Sequence, residues 1–181
     1  ADKTNVTTAI PILLARLATQ DGLKAALVSI DAIATNPTIA TAIRDAQADY
    51  LLAVKANQPT LRSEIETFFA EAPPASLEST IDVDKGHGRI EQRTVTVARE
   101  VDWLCGDRRF PGEVRLPGVA TIIRVASRAE LADRGRFETR YYISSAVLSA
   151  PRAARPSAAT GPSKTVCTGS STLPLMTTNH V

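Results

Sequence analysis

The chain predicts an α/β fold that passes into a β-rich region and then into a tail without regular structure. Three observations predict it. Apolar runs of strand length alternate with helical patterns as far as Ala72. Runs rich in β-branched residues then follow one another between Arg93 and Ile143. From Pro151 to Val181, Ala, Ser, Thr, Pro and Gly dominate, and Asp and Glu are missing. At 181 residues the chain suits one domain of ordinary size, with or without a small insertion. Apolar residues make up 44% and aromatic residues 4%, so any core must be largely aliphatic.

Bulk properties exclude several function classes. A formal charge of +2 is too small to announce nucleic-acid binding by itself, so contact with a polyanion must come from local clustering. No apolar run approaches transmembrane length, and Ala1-Asp2-Lys3-Thr4-Asn5 is no signal peptide, which points to the cytoplasm. Cys105 and Cys167 stand far apart without metal-ligand spacing. They read as two free thiols, with one disulfide as the alternative. The missing initiator Met suggests a piece of a longer protein.

The elements follow in order. Thr7-Thr8-Ala9-Ile10-Pro11 supplies a capping hydroxyl and a proline in the first turn, and Ile10, Leu13, Leu14 and Leu17 form one apolar face. Asp21-Gly22 ends that helix. Ala25 to Ile30 reads as a strand that stops on Asp31. Asn36-Pro37 caps and starts a second helix, with Ile39, Ala42, Ile43 and Ala46 on its buried side. Asp49 to Lys55 is a near-continuous apolar strand of the kind covered on both faces. Asn57-Gln58-Pro59 opens a third helix with Leu61, Ile65, Phe68 and Phe69 inside. This alternation predicts parallel strands joined by crossovers. Ala72-Pro73-Pro74-Ala75-Ser76 is a break, after which Arg93–Val97, Ala120–Val125 and Phe137–Ile143 read as strands of an antiparallel sheet. The boundaries are therefore 1–72, 73–150 and 151–181, the last predicted to be disordered.

Candidate chemistry gathers at strand ends and in one turn. Asp31 follows a strand, where a carboxylate can hold a divalent cation, but hard-oxygen sites need more than one such ligand. A loop or capping aspartate is the alternative. Lys55 and Asn57-Gln58 should emerge on the same sheet edge, with a solvated lysine and a plain helix cap as alternatives. Lys85, His87, Arg89 and Arg93 collect basic side chains around the turn Asp84-Lys85-Gly86-His87-Gly88-Arg89, which suits phosphate. A hairpin tip whose arginines pair with Glu91 and Asp84 would look the same. No second His or Cys supports His87 as a metal ligand. Trp103 reads as a packing anchor, and of Tyr141 and Tyr142 one should pack while the other faces solvent.

In this order, several stretches resemble a known family: Ala1–Asn5 before a helix, Val28-Ser29-Ile30-Asp31-Ala32, Leu52–Gln58, Asp84-Lys85-Gly86-His87-Gly88-Arg89-Ile90-Glu91-Gln92-Arg93, and Glu138-Thr139-Arg140-Tyr141-Tyr142-Ile143-Ser144-Ser145. The chain resembles the DDE transposases of bacterial insertion sequences, of the ISAs type that includes the H-repeat-associated proteins. The match runs over residues 1 to 155, and Asp84–Arg89 is its most specific part. The resemblance implies a partial RNase H-like fold, a mixed sheet with helices and a β-rich insertion. It also implies two-metal phosphoryl transfer, in which three carboxylates hold a pair of Mg²⁺ ions about 3.5–4 Å apart. Asp31 would be the second acid, both catalytic residue and metal ligand. Lys55, Asn57, Gln58, Lys85, His87, Arg89 and Arg93 would lie on the DNA side, the DNA being insertion-sequence ends and target.

Two departures set the expectation for activity. The family's first acid, in an Asp-Gly-Lys segment, would lie upstream of Ala1. The third belongs to a helix with a His-Trp-x-Ile-Glu-Asn pattern, which is not found after Arg155. A shift of reading frame accounts for the second departure. Codons chosen for Gly161-Pro162-Ser163-Lys164, with a T ending the Thr160 codon and read one base earlier, can yield Trp-Ala-Ile-Glu, and those for Thr165–Gly169 can yield Asn-Ser-Leu-His-Trp. The expectation is a transposase piece with one of three metal-binding acids, inactive alone. A residual DNA-binding module and a non-functional remnant are the alternatives.

Overall fold

A computed structural model describes residues 6–19, 23–30, 35–86, 89–110, 113–131, 134–154 and 165–168. Helix α1 (Val6–Ala18) precedes strand β1 (Leu27–Ile30). Helix α2 (Pro37–Asp45), strand β2 (Asp49–Val54) and helix α3 (Pro59–Glu71) follow. The chain then forms two long hairpins, β3 (Leu77–Gly86) with β4 (Arg89–Ala98) and β5 (Thr121–Leu131) with β6 (Arg134–Ser144). A short helix α4 (Ala150–Ala154) and a strand β7 (Thr165–Thr168) complete it. The strands make one mixed sheet in the order β3-β4-β5-β6-β2-β1-β7. β1 pairs in parallel with β2 and β7, whereas β2 to β6 and the hairpin pairings are antiparallel.

Local chemistry explains the helix ends. The Asn36 side chain accepts the Ile39 N–H at 2.9 Å, and Pro37 takes the first helical position, where its missing donor costs nothing. At the far end the N–H groups of Gln47 and Ala48 donate to the carbonyls of Arg44 and Ile43. This requires Gln47 to adopt φ +57°, the left-handed stop that usually falls to glycine.

Strand alternation splits the core in two. One face carries Val28, Ile30, Tyr50, Leu52, Val54, Ile122 and Ile143 under residues of α1, α2 and α3. The other carries Leu27, Leu51, Val95, Val97 and Ile123, covered by Leu148 and Ala150 at the start of α4. Tyr50 is fully buried and donates its hydroxyl to the Pro117 carbonyl at 2.9 Å.

The structure corrects several local expectations. Leu13 is 43% exposed, so the apolar face of α1 is Ile10, Leu14 and the partly buried Leu17. Gln58 stands at the cap position of α3 without making a side-chain cap. The region after Ala72 has four strands rather than three, because β3 pairs along its whole length with β4. The tail, predicted to lack regular structure, contributes β7, a β-branched Thr-Val-Cys-Thr run against the edge of β1. Trp103 is the expected packing anchor and stacks on Phe68 at 5.5 Å. Tyr141 and Tyr142 are both half-buried, on opposite faces.

Candidate functional site

The sheet is not even-edged. β2 ends at Val54, whose partner is Tyr141, so residues Arg134–Arg140 of β6 run on past the carboxyl ends of β1 and β2. Strand carboxyl ends in open α/β sheets are where ligands settle. On the face away from α1, α2 and α3, this overhang forms a groove of about 480 Å³. Its lining includes Ser29, Glu91, Arg93, Ser127, Arg136, Glu138, Arg140 and Tyr142, with Ala153 and Ala154 of α4 at one end.

Register places these side chains in rows. Arg93 stands opposite Ser127, which stands opposite Glu138, and Glu91 lines up with Ala129 and Arg136 in the same way. Directly paired residues share a face, so the charges form a two-dimensional array. Arg93 donates to Glu91 at 3.1 Å and Arg140 to Glu138 at 2.8 Å, while Arg136 lies 3.8 Å from Glu138. The hydrogen bond from Arg140 holds the Glu138 carboxyl below its ordinary pKa; burial opposes it, and the nearby positive charges of Arg140 and Arg136 add to the lowering. Conversely, the hydrogen bonds that Arg140 donates, first to Glu138 and then to Tyr142, raise its own pKa.

Of the residues singled out by sequence, the structure brings Arg93 to this groove, while Lys55 is exposed just after the end of β2. Asn57 is exposed in the turn after β2. Gln58 is buried at 7% exposure and donates to the Thr35 carbonyl at 2.6 Å, while Thr35 donates its hydroxyl to the Ala53 carbonyl at 2.9 Å. Gln58 therefore ties α3 to the segment before α2 rather than facing solvent. The backbones of Lys85 and Arg89 close the β3–β4 hairpin, whereas His87 and Asp31 lie outside the described residues. Among the described residues no three His, Cys, Asp or Glu side chains converge as a metal site.

Sequence reasoning missed Arg136, Glu138, Arg140 and Tyr142. Their signal was the spacing of polar residues at every second position through Arg136-Phe137-Glu138-Thr139-Arg140, which puts all three charges on one face of a strand.

No family model matches the chain, and no solved structure matches it significantly. Curated relatives do. An "Uncharacterized protein in dhlA 3'region" of Xanthobacter autotrophicus is 35% identical over 144 residues, covering 79% of this chain and 45% of that protein. "Putative transposase YncI" of Escherichia coli O157:H7 is 35% identical over 149 residues, 79% of this chain and 36% of that one. "H repeat-associated putative transposase YhhI" of Escherichia coli K12 is 33% identical over 157 residues, 83% of this chain and 39% of that one. The chain thus spans less than half the length of the curated relatives it matches. Over roughly four-fifths of its own length it is a relative of bacterial proteins named as transposases.

Proposed function

We propose that the chain is part of an insertion-sequence transposase of the ISAs, DDE type with an RNase H-like core, and that DNA is its partner. The observation that carries this reading is the similarity to proteins named as transposases over some four-fifths of the chain. The groove supports it, because Arg93, Arg136 and Arg140 present guanidinium groups on one sheet face, and guanidinium suits phosphate. Asp31 would be the second acid of the catalytic triad, and Lys85, His87 and Arg89 would extend the DNA side beyond Arg93. When bound, Mg²⁺ would supply activation of a nucleophile and stabilisation of a leaving oxygen. Strand cleavage and transfer belong to the longer protein; the isolated 181 residues bind DNA without joining it. The frame after Arg155 is shifted, which the nucleotide sequence tests directly.

The test is titration of the purified chain into labelled duplex DNA at stepped potassium chloride, alongside a strand-transfer assay with Mg²⁺. Binding that weakens steeply with salt and falls further in Lys85→Ala and Arg89→Ala is expected, with no joined product. Salt-insensitive or undetectable binding would remove the DNA reading, and turnover by the isolated chain would overturn its inactivity.

A further inference from the structure

We propose that Glu138 occupies, in the free protein, the place that a DNA phosphate takes on Arg136 and Arg140, so that the groove exchanges an internal carboxylate for a backbone phosphate on binding. The inference rests on the DNA reading above and adds what sets the affinity of the groove. Glu138 is flanked on its own strand by Arg136 and Arg140, two residues to either side and on the same face. Two cations therefore converge on one acidic side chain. Carboxylate and phosphate both offer a guanidinium the paired oxygens that its fork binds, so one can stand in for the other.

Exposure decides that the exchange is possible. The side chains of Arg136 and Arg140 are 77% and 59% exposed, and Glu138 itself is 38% exposed. Ion pairs in that setting hold weakly and yield to a better anion. The frame beneath is set by β5, which pairs with β6 along its whole length, while β2 pairs with β6 from Tyr141 onward and so anchors the array at its Arg140 end. The arginines thus stand about 13 Å apart in backbone terms along one strand and about 10 Å from the strand that carries Arg93. Glu138 keeps them extended and neutralised until a polyanion arrives. Glutamate has three side-chain torsions with which to move aside, whereas the strand has none to spare.

The experiment measures binding of the full 181-residue chain to a labelled duplex by fluorescence anisotropy across potassium chloride concentrations. Four variants are compared with the parent. Glu138→Gln keeps the shape and removes the competitor. Glu100→Gln removes the same charge from the turn after β4, outside the groove lining. Arg140→Ala and Arg136→Ala remove the contested cations. Glu138→Gln should bind about three- to fivefold tighter than the parent, whereas Glu100→Gln should change binding by less than about twofold. Each arginine variant should bind more weakly, with the slope of log K against log salt reduced by about 0.9. If Glu138→Gln binds no tighter than Glu100→Gln while the arginine variants weaken, the exchange is refuted and the DNA reading stands. If the parent itself does not bind the duplex, both fall.

Discussion

Thr121 and Ser144 face each other at the end of the β5–β6 pair, and both are fully buried. The Thr121 hydroxyl donates to the Ala146 carbonyl at 2.8 Å and accepts the Leu148 N–H at 3.1 Å. It therefore holds both ends of the turn that leads into α4, whose Ala153 and Ala154 wall the groove. Thr121→Val preserves shape but strands one acceptor and one donor. At about 1 kcal/mol for each lost hydrogen bond, and more where a group is left dry, the cost is about 2–3 kcal/mol. In a chain of this size that lowers Tm by roughly 5–10 °C. Thr121→Ser is the comparison, since it keeps the hydroxyl and loses one methyl, worth about 1 kcal/mol. Urea unfolding followed by circular dichroism gives both numbers. If Thr121→Val is as stable as Thr121→Ser or more so, the hydroxyl does not hold the turn and the placement of α4 has another cause.

Two further outcomes follow from local chemistry. Burial pulls the Glu113 carboxyl upward, but hydrogen bonds from the Arg109 N–H and guanidinium and from Arg115 outweigh it and hold its pKa below the ordinary value. A depressed folded pKa means stability that is present above the ordinary glutamate range and lost as pH falls through the folded value. Glu113→Gln should therefore flatten the decline in urea midpoint below about pH 4.5, and parallel acid limbs in the two proteins would contradict this. Gln47→Gly relieves the left-handed backbone that ends α2 and should raise stability by about 0.5–1 kcal/mol, read as a higher urea midpoint. A lower midpoint would mean that the Gln47 side chain contributes more than its backbone costs.

The helical half of the fold was legible because its signals are local. Asn36-Pro37 announces α2 by chemistry confined to one turn, and the apolar run Tyr50–Val54 can only be a strand buried on both faces. β3 was not legible for the opposite reason. It is an edge strand with Ile81 and Val83 exposed on one face and Asp82 and Asp84 on the other, so no hydrophobic contrast marks it. Only its partner β4 makes it a strand. The groove was hidden more deeply still. Arg93 and Glu138 lie far apart in sequence and meet through Ser127, so their proximity depends on two registers that no local pattern encodes. Sequence found the basic turn at Lys85–Arg93 because its charges are contiguous. It missed the β6 array because those charges alternate with Phe137 and Thr139.

The charge balance of the groove bears on how strongly it can attract a polyanion. Its lining carries Arg93, Arg136 and Arg140 against Glu91 and Glu138. On the proposed DNA reading such a face has little net charge to release counterions, so the steep salt dependence expected of the whole chain must come largely from cations outside it, Lys85 and Arg89 among them. What it offers instead is position: arginines on hydrogen-bonded strands that overhang the edge where β1 and β2 end. On that reading each groove arginine contributes modestly to affinity, in keeping with the slope change of about 0.9 expected for its removal, and the fixed register of its strand decides where on the duplex it acts.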